Sequence, residues 1–212
     1  MTQVFVNIGL SLDGYMAPEG MTLENWETPE YKNWGAKWGT LMAWIINLQY
    51  FRETHKFGSG GETGPVNDMV RSTTERIGVN IMGKRMFEQG AISWPEEALF
   101  HTPVYVLTHQ KRDPGVRPGG TTFYFVNDGP ERALELARES VGGRDIRISG
   151  GADVIQQYLN LGVIDELEIA LVPVLFGGGR RLFENLHEAV PQFRVDRVVD
   201  SQTATHLRYV RA

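Results

Sequence analysis

Three observations predict a three-layer α/β/α sandwich around a mostly parallel, eight-stranded mixed sheet with a C-terminal antiparallel hairpin. Short β-branched runs alternate with stretches of helical periodicity along most of the chain. Glycines follow several of those runs, where strands hand over to helices. The last two apolar runs, Phe193 to Val199 and Ala204 to Val210, flank the turn-forming "DSQT" and read as a hairpin.

The elements follow in order. "VFVNIGL", Val4 to Leu10, is a buried first strand that stops at the turn-prone "LDG". From Tyr31 to Phe57, Trp34, Trp38, Leu41, Met42, Ile45, Leu48 and Phe51 recur at helical spacing. Four of the five tryptophans lie between Trp26 and Trp44, so this helix either packs on the core or forms an aromatic lid over a planar ligand. "GSGGETGP", Gly58 to Pro65, is a flexible loop, and a helix at Val66 to Ile77 carries Asn67 and Asp68 in its first turn. "VNIM", Val79 to Met82, is a strand, "GKRMFEQG" a turn and short helix, and "VYVLT", Val104 to Thr108, another strand.

"DPGVRPGG", Asp113 to Gly120, reads as a surface turn before the strand "TTFYFV". Pro130 occupies the first turn of the helix continued by "ERALELARES". Ile146 to Ser149 is a strand, Ala152 to Leu161 a helix, and Glu166 to Phe176 a long strand in which Pro173 marks an edge or bulge.

Composition bounds the function. The 212 residues are 42% hydrophobic, enough for one domain spanning 1–212. A net charge of −5 argues against nucleic acid as a partner, since no basic stripe replaces phosphate counterions. The absence of cysteine removes disulfides and thiolate sites, and the five histidines show no metal-ligand spacing, so no metal is expected. The N-terminus lacks a signal-peptide pattern and no apolar run is long enough to span a bilayer, so a cytoplasmic protein without membrane partners is expected. No GxSxG elbow supports serine hydrolysis.

In open α/β sheets, ligands bind outside the carboxyl ends of the strands. Gly150 and Gly151 stand at one such end, before a helix beginning near Ala152 and Asp153; they make either a tight turn or a phosphate seat. Gly83 opens a helix at another, followed by Lys84 and Arg85. A basic pair at a helix start opposes the helix dipole, so either a bound anion or simple solvation accounts for it. Thr108 and His109 supply donors at a third, and three such ends in a row fit a dinucleotide with an additional phosphate. "FGGGRR", Phe176 to Arg181, is either a further cradle or a decoy. Asp13 is the acid best placed near this edge, unless it only forms the turn before Gly14.

"NIGLSLDGYMA", "NIMGKRMFE", "PVYVLTHQ", "IRISGGADVIQQYL" and "IDELEIALVPVLFGGGRRLFENL", in this order, resemble the dihydrofolate reductase-like superfamily. Within it, they are similar to the reductase domain of the bifunctional riboflavin-biosynthesis deaminase-reductase. The resemblance implies a homodimer that binds NADPH and transfers a hydride to a small heterocyclic or sugar-derived substrate, as 5-amino-6-(5-phosphoribosylamino)uracil reductase does. A dihydrofolate or pterin reductase, or a non-catalytic NADP-binding sensor, are the alternatives.

By the same resemblance, Gly83, Lys84 and Arg85 meet the cofactor phosphates, and Thr108 with His109 lies beside the adenosine 2′-phosphate. Gly150, Gly151, Ala152 and Asp153 receive the pyrophosphate, Gly9, Leu10 and Met16 pack the nicotinamide, and Asp13 lies near the substrate as a candidate proton donor. Residues 21 to 75 depart from the family pattern, and Glu24, Glu27, Glu30 and Glu62 are candidates for a carboxylate on the substrate helix. The deaminase half, with its cysteine-ligated zinc, is not expected.

Overall fold

The computed structural model describes residues 1–20, 27–187 and 190–212. The strands, in chain order, are β1 (Val4–Ser11), β2 (Tyr15–Pro18), β3 (Ile77–Gly83), β4 (Pro103–Leu107), β5 (Gly115–Arg117), β6 (Thr121–Val126), β7 (Asp145–Gly150), β8 (Glu166–Val172), β9 (Gly179–Arg181), β10 (Phe193–Asp200) and β11 (Thr205–Arg211). The helices are α1 (Pro29–Ile46), α2 (Gln49–Thr54), α3 (Pro65–Glu75), α4 (Lys84–Ser93), α5 (Pro130–Ser140) and α6 (Ala152–Asn160).

The main sheet runs β10-β11-β8-β1-β7-β3-β4-β6-β5, with β2 and β9 in a separate antiparallel ribbon. From β8 to β6 neighbouring strands are parallel, so their carboxyl ends emerge along one edge. The hairpin of β10 and β11 pairs antiparallel with β8, as expected. The sheet holds nine strands rather than eight, because Gly115 to Arg117, inside the expected surface turn, pairs antiparallel with β6. Prolines flank this short strand on both sides, which only an edge tolerates.

Period-two alternation divides the sheet's faces. Val4, Val6, Ile8 and Leu10 of β1, with Val79, Ile81, Ile146 and Ile148, pack against Leu134 of α5 and Ile155, Tyr158 and Leu159 of α6. Each fully buried aliphatic or aromatic side chain there contributes roughly 1.5–3 kcal/mol. The opposite parity is more polar: Ser149 Oγ donates to Asn80 Oδ1 at 2.8 Å, and Asn80 Nδ2 donates to Thr102 Oγ1 at 2.9 Å. These bonds let polar side chains be buried under α1 to α4 without a desolvation penalty.

Two elements end earlier than their periodicity predicts. The helix expected from Tyr31 to Phe57 breaks after Ile46, where Glu62 N donates to Asn47 O and Gln49 N donates to Glu62 O. β8 stops at Val172 because it is bonded on both sides and Pro173 has no N–H to continue it.

Candidate functional site

The carboxyl ends of β1, β7, β3, β4 and β6 open into a cleft of about 700 Å³. Three helices begin at its rim. Gly83, Gly129 and Gly151 are the N-cap residues of α4, α5 and α6, and none makes a side-chain cap bond. Their free amide groups and the positive ends of three helix dipoles are therefore available to an anion.

The expected cofactor residues converge here. Gly9, Met16, Gly83, Lys84, Arg85, Thr108, His109, Gly151, Ala152 and Asp153 all line the cleft. Gly150 does not line it directly. Its φ of +121° suits glycine, and a Cβ there would come within 3.4 Å of Met86 Sδ and 3.5 Å of Met16 Cε, both cleft side chains. The Gly150–Gly151 peptide is cis. A Cβ at Gly83 would stand 2.9 Å from Val154 Cγ2, so the strand-to-helix turn has no room for a side chain. Leu10 departs from expectation: strand alternation turns it into the core beneath α5 and α6, away from the cleft.

The tryptophans divide between the two readings of their helix. Trp34 and Trp38 of α1 stack at 5.9 Å with an interplanar angle of 12° and form a cleft wall with Tyr31 and Met42. Trp34 is fixed by donating its Nε1–H to Pro18 O at 2.9 Å. Trp44 instead packs on the sheet, its Nε1 lying 3.1 Å from where a Gly9 Cβ would stand. Trp26 lies outside the described residues.

Asp13 also departs from expectation. It is absent from the cleft lining, and its carboxylate accepts from Ser11 Oγ at 2.6 Å, Phe176 N at 3.1 Å and Gly177 N at 2.7 Å. Partial burial pushes this carboxyl up, but the bonds from Ser11, Gly177 and Phe176 together outweigh it and hold the group below the ordinary carboxylate range. A carboxylate so engaged ties two loops together. The "FGGGRR" segment it holds brings Arg180 to the cleft.

None of Glu27, Glu30 and Glu62 lines the cleft, and Glu24 lies outside the described residues. Among the described residues, Asp153 is the one acidic side chain on the lining. The floor supplies polar residues that sequence reasoning passed over: Asn7 of β1 with Arg147 and Ser149 of β7. Burial pushes the Arg147 guanidinium down to about 10, opposed by the charge of Glu168. The signal was present in "IRIS", an arginine set between isoleucines in a central strand.

This topology, with its cleft at the carboxyl edge, defines a dihydrofolate reductase-like fold. Dihydrofolate reductase from Enterococcus faecalis, solved in complex with NADP(H), superposes with a TM-score of 0.51 at 15% identity, covering 99% of this chain and 96% of that one. The chain belongs to the RibD C-terminal domain family, whose sequence model matches residues 2–207.

Among curated proteins, it is 33% identical to the uncharacterized protein YwjB of Bacillus subtilis (strain 168) over 176 residues, covering 68% of this chain and 100% of that protein. A proposed riboflavin biosynthesis protein from Shewanella sp. PV-4 has a TM-score of 0.66 at 21% identity, covering 100% of this chain and 99% of its own. A diaminohydroxyphosphoribosylaminopyrimidine deaminase/5-amino-6-(5-phosphoribosylamino)uracil reductase from Thermotoga maritima has a TM-score of 0.59 at 14% identity. This chain is fully covered there and spans 57% of that bifunctional one. The fold is thus that of the riboflavin-pathway reductases.

Proposed function

We propose that this protein is an NADPH-dependent reductase that delivers a hydride to a planar heterocyclic substrate, similar in class to 5-amino-6-(5-phosphoribosylamino)uracil. The observation that carries this reading is the convergence of three uncapped helix starts on one cleft beside a stacked aromatic wall.

The residues present fit such a cofactor. The turns at Gly83 and Gly150–Gly151 leave the backbone open to phosphate oxygens, which the amide groups of α4 and α6 would meet. Lys84 and Arg85 add positive charge at the rim, and Thr108 and His109 offer donors at the end of β4, where the additional phosphate of NADPH would be read. Gly9 and Met16 line the cleft where the nicotinamide would pack. The bound cofactor supplies the hydride; the protein supplies orientation and charge. Trp34 and Trp38 hold the substrate ring from the far side and exclude water. On the described face of α1 toward the cleft no carboxylate accompanies them, which disfavours the pterin-reductase alternative.

Titration of NADPH and NADH against tryptophan fluorescence tests the proposal. NADPH should bind at least about tenfold more tightly, the margin one phosphate–arginine contact supplies. Arg85→Glu should weaken both nucleotides, NADPH much more than NADH, and an unchanged ratio removes Arg85 from reading the additional phosphate. Equal, weak binding of the two nucleotides overturns the NADPH assignment. Failure to oxidise bound NADPH across a panel of pyrimidines, pterins and carbonyl compounds favours the sensor alternative.

A further inference from the structure

The floor of the cleft narrows the class of substrate, an inference that rests on the reductase reading. Arg147 sits between Phe5 of β1 and Asn80 of β3 in the sheet register, in the middle of the parallel strands. A guanidinium is all donor and no acceptor. Among the described residues, its Nη2 donates to Asn7 O at 3.0 Å, its buried Nε has no partner, and no carboxylate lies within ion-pairing distance.

The other arginines on this face contrast with it. Arg76 pairs with Asp145, Glu166 and Glu168, and Arg208 with Glu166 and Asp196. Glu168 is close enough for Arg147 to feel its charge. Its oxygens, however, accept from Asn7 Nδ2 at 2.8 Å and Thr73 Oγ1 at 2.9 Å. His55 also feels Arg147: burial, His101 and Arg147 together push its pKa down to about 4. Among the described residues Arg147 thus has no ion-pair partner, and it lines a cleft walled by tryptophan. The guanidinium is half-buried, so its desolvation is partly uncompensated until a partner from the cleft meets it.

We propose that Arg147 receives the carboxylate of a planar substrate whose ring lies against Trp34 and Trp38. Asn7 of the neighbouring strand holds the guanidinium through its backbone carbonyl, so the donors that remain are oriented before the substrate arrives. A ring of the same shape without the carboxylate leaves the guanidinium unpaired and binds more weakly.

Matched probes test this on the intact chain: 6-carboxyuracil against uracil, and pterin-6-carboxylate against pterin, each titrated by quenching of tryptophan fluorescence. At least one carboxylated probe should bind about tenfold or more tightly than its neutral parent. Arg147→Met should abolish the preference while NADPH affinity stays unchanged. Should that variant not fold, Arg147→Gln removes the charge, retains a donor for the Asn7 carbonyl, and carries the same expectation. Equal binding of both members of each pair, no binding by either carboxylated probe, or a preference that survives loss of the arginine overturns the inference. Because the probes are read without nucleotide, failure of the wild-type chain to bind NADPH overturns the reductase reading separately.

Discussion

The carboxylate of Asp13 joins the turn after β1 to the loop after β8, through bonds that span up to 164 residues of chain. That loop leads to Arg180 on the cleft lining and to Arg181, whose guanidinium lies 4.5 Å over the Tyr15 ring. Asp13 therefore positions part of the cleft's rim. Its folded-state pKa is depressed, so its contribution to stability is present above its ordinary value of 3.8 and is lost as pH falls through the lower folded value. At pH 7, Asp13→Asn should lower Tm by about 2–4 °C, a modest loss because the partly exposed bonds are screened by solvent. It should affect KM more than kcat and leave the pH–rate profile unchanged in shape. A collapse of kcat with loss of one pH limb would instead make Asp13 the proton donor. The sequence showed an aspartate in a turn near the right edge, but its amide partners are too distant in the chain for any local pattern to reveal.

At the scale of elements, the strands and helices that local chemistry dictates were legible, and those that depend on distant partners were not. The β-branched runs of β1, β3, β4 and β7 announce themselves, as do the glycines at their carboxyl ends. The break between α1 and α2 does not, because the apolar spacing continues through Leu48 while the backbone of Glu62, far along the chain, takes over the pairing. β5 and β9 are only three residues each, too short to display alternation.

The junction of α3 with β8 shows the energetic side. Arg76, the C-cap of α3, bridges Asp145 at 3.1 Å and also engages Glu166, whose side chain is fully buried, while Arg208 reaches Glu166 from β11 at 2.7 Å. Removing one member of such a network leaves buried charge uncompensated, so Arg76→Ala should destabilise by about 3–5 kcal/mol in urea unfolding. A loss below about 1 kcal/mol would mean that Arg208 alone satisfies Glu166.

For the whole molecule, the same division explains the site. Its backbone half, glycine turns and helix starts at adjacent strand ends, was readable because a parallel sheet must place those ends together. Its side-chain floor was not, because Asn7, Arg147 and Ser149 meet only after β1 and β7 become neighbours. The buried titratable groups now set the acid stability of the entire chain. Burial pushes both His55 and His206 down to about 4. Between pH 6.5 and 4.5 the unfolded chain therefore binds up to two protons that the folded chain does not, and stability falls as pH falls.

Glu168 acts in the opposite sense. Burial raises its pKa, so on acidification the folded chain takes up this proton before the unfolded one does, and the contribution grows as pH falls toward 4.5. Two histidines act against one glutamate, so the net change is a loss of stability as pH falls through the window. Asp13 and Glu166, with depressed values, add to the loss as pH falls past their ordinary values of 3.8 and 4.5. Urea midpoints measured from pH 7 to 4.5 should therefore decline steadily. His206→Gln should flatten that decline, whereas Glu168→Gln should steepen it. A midpoint independent of pH across the window would mean that neither histidine is held neutral in the folded chain.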